Sequence, residues 1–118
     1  MYISKVGIIK SKVLVIIATE DKEKSLTGLM YAKNAVENDW LKDIKVIFFE
    51  SNESLMVKDE EIRNYALYLS DMTDTFACKY LSDKNEISDE IEELGVNLEY
   101  FGSIISDYIN DRYTPMVW

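Results

Sequence analysis

The chain has 118 residues, shorter than one average domain, so a single core is expected and an interdomain cleft is not. Its 47% hydrophobic content can build that core without metal or disulfide staples. Twenty-two Asp and Glu against thirteen Lys and Arg leave a formal charge of -9, which repels phosphate backbones and anionic lipid; neither nucleic acid nor a membrane is an expected partner.

In chain order, residues 13–19 form an apolar, mostly β-branched run without alternation, the pattern of a strand covered on both faces in a parallel sheet. After a polar loop over residues 20–24, Leu26, Leu29, Met30 and Val36 recur at helical spacing as far as about Asn38, with Asp21 or Ser25 available as the N-cap. Gly28, Ala32 and Ala35 form a small-residue stripe on that helix. A helical Gly costs about 1 kcal/mol against Ala, so a close backbone approach, to the sheet or to another subunit, is expected there. Residues 44–49 read as a second strand and 51–54 as a polar loop, followed by a helix carrying Ile62, Tyr65, Ala66 and Leu69.

Residues 75–78 are a short third strand, and Lys79-Tyr80-Leu81 begins the next helical turn. Ile87, Ile91 and Leu94 mark an amphipathic helix with Gly95 as its C-terminal cap. Residues 96–101 are the fourth strand, and Gly102 and Ser103 open a last helix with Ile104, Ile105, Tyr108 and Ile109. In the closing segment 113–118, Pro115 confines the fifth strand to an edge or delays its start to Met116. The alternation predicts one α/β domain over residues 1–118: a three-layer sandwich with a mostly parallel sheet of about five strands and helices on both faces. Residues 1–11 read as an arm or an extra edge strand, and ligands are expected at the carboxyl edge of the sheet.

The residue inventory narrows the chemistry. The chain contains no histidine, which removes His-based general bases, Ser-His and Cys-His pairs and His-containing metal sites. Cys78 is the sole cysteine, so intrachain disulfides and multi-cysteine metal or redox motifs are impossible, and a reducing setting fits. No apolar stretch reaches the roughly 18 residues of a membrane-spanning helix, and the N-terminus lacks a signal-peptide pattern; a cytoplasmic location is expected. The four glycines form no dinucleotide fingerprint or P-loop, and the loop after the first strand is acidic, so no cofactor and no metal is expected. Glu20 and Asp21 could imitate the magnesium-holding pair of a receiver domain, but Cys78 stands where the phosphorylated Asp would be; a solvated loop favouring a helix N-terminus is the plainer reading.

Cys78 is the one nucleophile in a suggestive place, at the end of a strand before a helical turn. A thiol of pKa about 8.5 is a few per cent thiolate at neutral pH, and a drop of about one unit, from a helix start plus Lys79, gives roughly a quarter. The competing reading is packing, since free cysteine is among the most buried residue types.

Several segments taken together resemble the DsrE/DsrF-like group of small α/β proteins over about residues 12–118. They are the opening strand Val-Leu-Val-Ile-Ile-Ala-Thr, Gly28-Leu29-Met30-Tyr31-Ala32, Val46-Ile47-Phe48-Phe49, Phe76-Ala77-Cys78, Glu93-Leu94-Gly95-Val96 and Tyr100-Phe101-Gly102. The resemblance implies that Cys78 accepts sulfur as a persulfide and passes it to a small sulfur-carrier protein, and that the chain forms homo-oligomers. Lys79, Thr19 and Ser25 are then expected to stabilise the charge on sulfur, with helix capping as the alternative for the last two. The run Lys79-Tyr80-Leu81-Ser82-Asp83-Lys84 departs from the small-residue, arginine-containing helix start of the relay subunits. The rival expectation is a non-catalytic oligomeric module that binds a small ligand or regulatory partner at the same edge.

Overall fold

The computed structural model describes residues 1–5 and 9–118. The β-branched run becomes β1 (Lys12–Ile17), whose last five residues are buried because helices cover both faces of the sheet. It is followed by α1 (Lys22–Glu37), β2 (Asp43–Phe48), α2 (Ser51–Lys58), α3 (Glu60–Met72), β3 (Thr75–Cys78), α4 (Lys79–Lys84), α5 (Ser88–Glu93), β4 (Asn97–Glu99), α6 (Phe101–Asn110) and β5 (Tyr113–Val117). All strand pairings are parallel, in the order β4-β3-β2-β1-β5.

Side chains that alternate across the strands feed two cores of unequal size. The larger gathers Val13, Val15, Ile17, Ile44, Val46, Phe48 and Ala77 under Leu29, Met56, Ile62, Leu69 and Ile91 from α1, α2, α3 and α5. The smaller gathers Leu14, Ile16, Ile47, Phe76, Cys78 and Tyr113 with Phe101, against Ile104, Ile105 and Tyr108 of α6. Each fully buried aliphatic side chain contributes about 1.5–3 kcal/mol by leaving water, so the larger core supplies most of the stability.

The three-layer α/β expectation holds, with local corrections. The polar stretch 51–54 is not a loop but the first turn of α2, because Asn52, Glu53 and Met56 fall on one helical face and are all buried. The fourth strand is only Asn97–Glu99: β4 pairs with β3 alone, and β3 ends at Cys78 opposite Glu99. β1 stops at Ile17, and the amides of Ala18 and Thr19 donate to the Trp118 carbonyl at 2.8 and 3.2 Å. The segment after Cys78 forms two short helices, the second closed by Gly95 at φ +84°, the left-handed conformation that glycine adopts at least cost. Pro115 lies in β5 opposite Leu14, on the sheet edge, where a missing N–H does no harm.

The predicted arm or edge strand over residues 1–11 falls partly on residues 6–8, outside the described residues. The described residues of that segment, 1–5 and 9–11, form no strand, and Met1, Tyr2, Ile3 and Ile9 are exposed. The close approach expected at Gly28 is to the sheet and the last residue: a Cβ there would lie 2.6 Å from Ile17 Cδ1 and 2.6 Å from Trp118 Cγ. Strand order reverses at β1, between β2 and β5, where an open α/β sheet usually binds its ligand. Trp118, held by its amide to the Ile16 carbonyl at 2.8 Å, lies at that point beside Gly28.

Candidate functional site

The carboxyl ends of β1, β2 and β3 bring together Thr19, the start of α2 and Cys78. The chain reaches α2 through Glu50, whose φ of 52° and ψ of -130° are rare for a residue with a Cβ and cost about 1–3 kcal/mol. That turn aims Asn52 and Glu53 inward, and both are fully buried. The Asn52 amide donates to the Thr19 carbonyl at 2.9 Å and to Ser25 Oγ at 2.7 Å, joining the loop after β1 to α2.

Glu53 is the chemically unusual residue. It stands third in α2, the position from which a Glu can reach back to the helix's own N-cap amide. Neither carboxyl oxygen has a well-formed hydrogen-bond partner, and Asn52 Oδ1 beside it has none either. Burial drives the Glu53 carboxyl up to about 8, while the nearby backbone amides of Cys78 and Glu50 pull it partly back. No charged side chain contributes to that shift. At neutral pH Glu53 is a protonated acid beside the backbone of the only cysteine.

Cys78 occupies the N-cap of α4 with φ -74° and ψ 117°, and its side chain makes no capping hydrogen bond. The residue is 8% exposed and belongs to the smaller core with Ile47, Phe76 and Phe101. Phe101 stacks on Phe49 with ring centroids 4.5 Å apart. Glu99, opposite Cys78 in the parallel register, presents an exposed carboxylate on the neighbouring edge strand. Tyr80 and Tyr100, 64% and 60% exposed, stand next to Lys79 and Phe101 in the chain.

The other predicted residues are placed apart from the thiol in their hydrogen bonding. The Lys79 ammonium pairs with Asp83 at 3.2 Å, and that contact raises its pKa above the ordinary lysine value. Thr19 Oγ1 accepts from the Asp21 amide at 3.0 Å, and Ser25 Oγ is held by Asn52. Thr19 and Ser25 are thus brought together through Asn52. The N-cap of α1 is Asp21, which accepts from the amides of Glu23 and Lys24, so this carboxylate of the receiver-like pair is engaged in capping. Glu20 instead lines an open cleft of about 590 Å³ at the carboxyl edge, with Glu50, Ser51, Lys58, Lys84 and Asn85.

Sequence reading missed Asn52 and Glu53, although a signal was present. Asn52, Glu53 and Met56 stand at i, i+1 and i+4, one helical face, but the polar run from Glu50 to Ser54 has the composition of a loop. Among the described residues no helix is long and apolar enough to cross a membrane.

No family model matches the sequence, and no curated protein matches it. Two solved structures share its architecture. A conserved protein of unknown function from Bacteroides thetaiotaomicron superposes with a TM-score of 0.75 at 20% identity, over 89% of this chain and 94% of that one. A protein of unknown function from Methanobacterium thermoautotrophicum gives a TM-score of 0.76 at 16% identity, over 92% of this chain and 100% of that one. At such identities the likeness establishes a shared fold and assigns no residue a role.

Proposed function

We propose that the protein is a single-cysteine sulfur carrier of the DsrE-like kind, acting in a reducing compartment as a homo-oligomer and handing sulfur to a small carrier protein. The Cys78 thiolate attacks the terminal sulfur of a donor persulfide, R–S–SH. The donor S–S bond breaks, R–S⁻ leaves, and Cys78 holds –S–SH; attack by an acceptor thiolate on that outer sulfur reverses the step and frees Cys78. No oxidant or cofactor is consumed.

The observation that carries this reading is the buried, unpartnered carboxyl of Glu53 at the amide of the lone cysteine. A site built only for packing would be more stable with an apolar or amide side chain there. An acid kept at such cost against the backbone amide of Cys78 supports a functional reading of this corner. A second reading, a small-ligand binding module, is favoured by the low exposure of Cys78 and by the open cleft between α2 and α4.

Incubation of native protein with a small-molecule persulfide, followed by intact mass spectrometry, separates the two. The carrier gains the mass of one sulfur atom on Cys78, and Cys78→Ser gains nothing. Native protein left unmodified where free cysteine is persulfidated rejects the carrier and leaves the binding module.

A further inference from the structure

We infer that the open cleft between α2 and α4 binds a small zwitterion, a molecule with a free ammonium and a free carboxylate, as amino acids and short peptides have. The cleft lies at the carboxyl ends of the strands, where a parallel sheet offers its loops to ligands. Its volume of about 590 Å³ falls in the ordinary range of about 300–1,000 Å³ for small-molecule sites. Its charged groups converge from separate parts of the chain: Glu20 from the loop after β1, Glu50 from the turn before α2, Lys58 from the end of α2 and Lys84 from the end of α4. Among the described residues none of these four side chains makes an ion pair or a hydrogen bond, with one another or with any other group. Lys12, Lys22, Lys45 and Lys79, by contrast, are each paired with a carboxylate. The cleft therefore gathers charges of both signs that the fold itself leaves unsatisfied.

The class of ligand follows from that lining. A purely anionic ligand, such as phosphate or a dicarboxylate, meets Glu20 and Glu50, and a purely cationic one meets Lys58 and Lys84. An apolar ligand finds only Leu55 and Leu81 to pack on and strips water from all four charges. A zwitterion gives each sign a partner, and Ser51, Ser54 and Asn85, whose side chains also make no hydrogen bond among the described residues, can hold the amide groups of a short peptide. Lys58 and Lys84 each end a helix, where a positive charge is favoured, but that preference explains neither their convergence on one cleft nor the carboxylates beside them.

The inference rests on the binding-module reading for its site and adds the ligand's class. It makes no use of the thiol, so the carrier reading stands or falls separately, on the persulfidation mass.

The test is a ¹H–¹⁵N NMR titration of the native chain with trialanine, with free L-alanine, and with two controls that each lack one charge, N-acetyl-trialanine and trialanine amide. A zwitterion should bind saturably in the millimolar range and shift the backbone amides of Glu20, Ser51, Ser54 and Asn85. Each control should bind at least about fivefold more weakly than trialanine. The exposed pair Lys58→Gln and Lys84→Gln, made together, should weaken trialanine by a similar factor and leave trialanine amide unaffected, because the amide has no carboxylate for them to hold. Tighter binding of trialanine assigns a peptide, and tighter binding of L-alanine an amino acid. Controls that bind as tightly as the zwitterion, or saturable shifts confined to other faces, overturn the inference. Inorganic phosphate or succinate binding in the cleft where neither zwitterion does keeps the binding module and rejects the zwitterion, and no binding by any of these probes rejects both.

Discussion

Trp118 closes against Gly28: a Cβ at Gly28 would come within 2.6 Å of the root atom of the indole ring and 2.9 Å of its neighbour. The ring cannot swing freely, because the Trp118 amide and carbonyl are both hydrogen-bonded to the end of β1 and the loop after it. Gly28→Ala gains about 1 kcal/mol of helix propensity but forces an overlap that costs about 1–3 kcal/mol, so overpacking wins. We expect a net loss of about 1 kcal/mol in urea denaturation, with a shift in tryptophan fluorescence as the indole is displaced. Unchanged stability with unchanged fluorescence would show that α1 can shift to make room.

Glu53 gives stability a definite pH dependence. Its pKa is about 8 folded and near 4.5 unfolded, so the folded state holds a proton that the unfolded chain releases between those values. Its contribution is complete below about pH 4.5, falls as pH rises to about 8, and is flat above. At pH 7 the difference amounts to roughly 3 kcal/mol of lost stability. Glu53→Gln, which cannot ionise, should lie within about 1 kcal/mol of wild type near pH 5 and exceed it by about 3–4 kcal/mol near pH 8. Urea midpoints at several pH values provide the check, and parallel curves for the two proteins would refute it.

Asn52 is the polar tie between α1 and α2. Truncation to Ala removes two donated hydrogen bonds and leaves the Ser25 hydroxyl without this partner in a fully buried position. A loss of about 2–4 kcal/mol is expected for Asn52→Ala and a smaller one for Ser25→Ala. In a double-mutant cycle the pair should be strongly non-additive, since either change breaks the same bond. Additive losses would mean that the 2.7 Å contact contributes little.

Cys78 packs in the smaller core and stands at the N-cap of α4, so its replacements differ in stability. Cys78→Ser puts a hydroxyl in the smaller core with no capping partner at α4 and should cost about 1–3 kcal/mol. Phe101→Leu thins the aromatic stack on Phe49 and should speed native alkylation of Cys78 by at least about threefold if opening of this corner limits access. Thermal melts and alkylation rates measure the two effects, and an alkylation rate indifferent to Phe101 would place the route to the thiol elsewhere.

What the sequence by itself determined was the layered alternation of strands and helices and the placing of Cys78 at a strand end. Both are written in local patterns, the β-branched run 13–17 and the spacing of apolar residues on α1, α3 and α6, that burial enforces wherever the chain folds. The same local reading could find Gly28 and Gly95, because glycine's cost inside or at the end of a helix is itself local. The tertiary structure alone decided which partners those residues meet: Trp118 for Gly28, Asn52 for Ser25, and Glu53 for the Cys78 amide. Glu50 to Ser54 is composed like a solvent loop, and only the packing of α2 turns two of its polar residues inward. A carboxyl's ionisation is set by the water it has lost and by amides distant in the chain, and neither can be read from its neighbours in sequence.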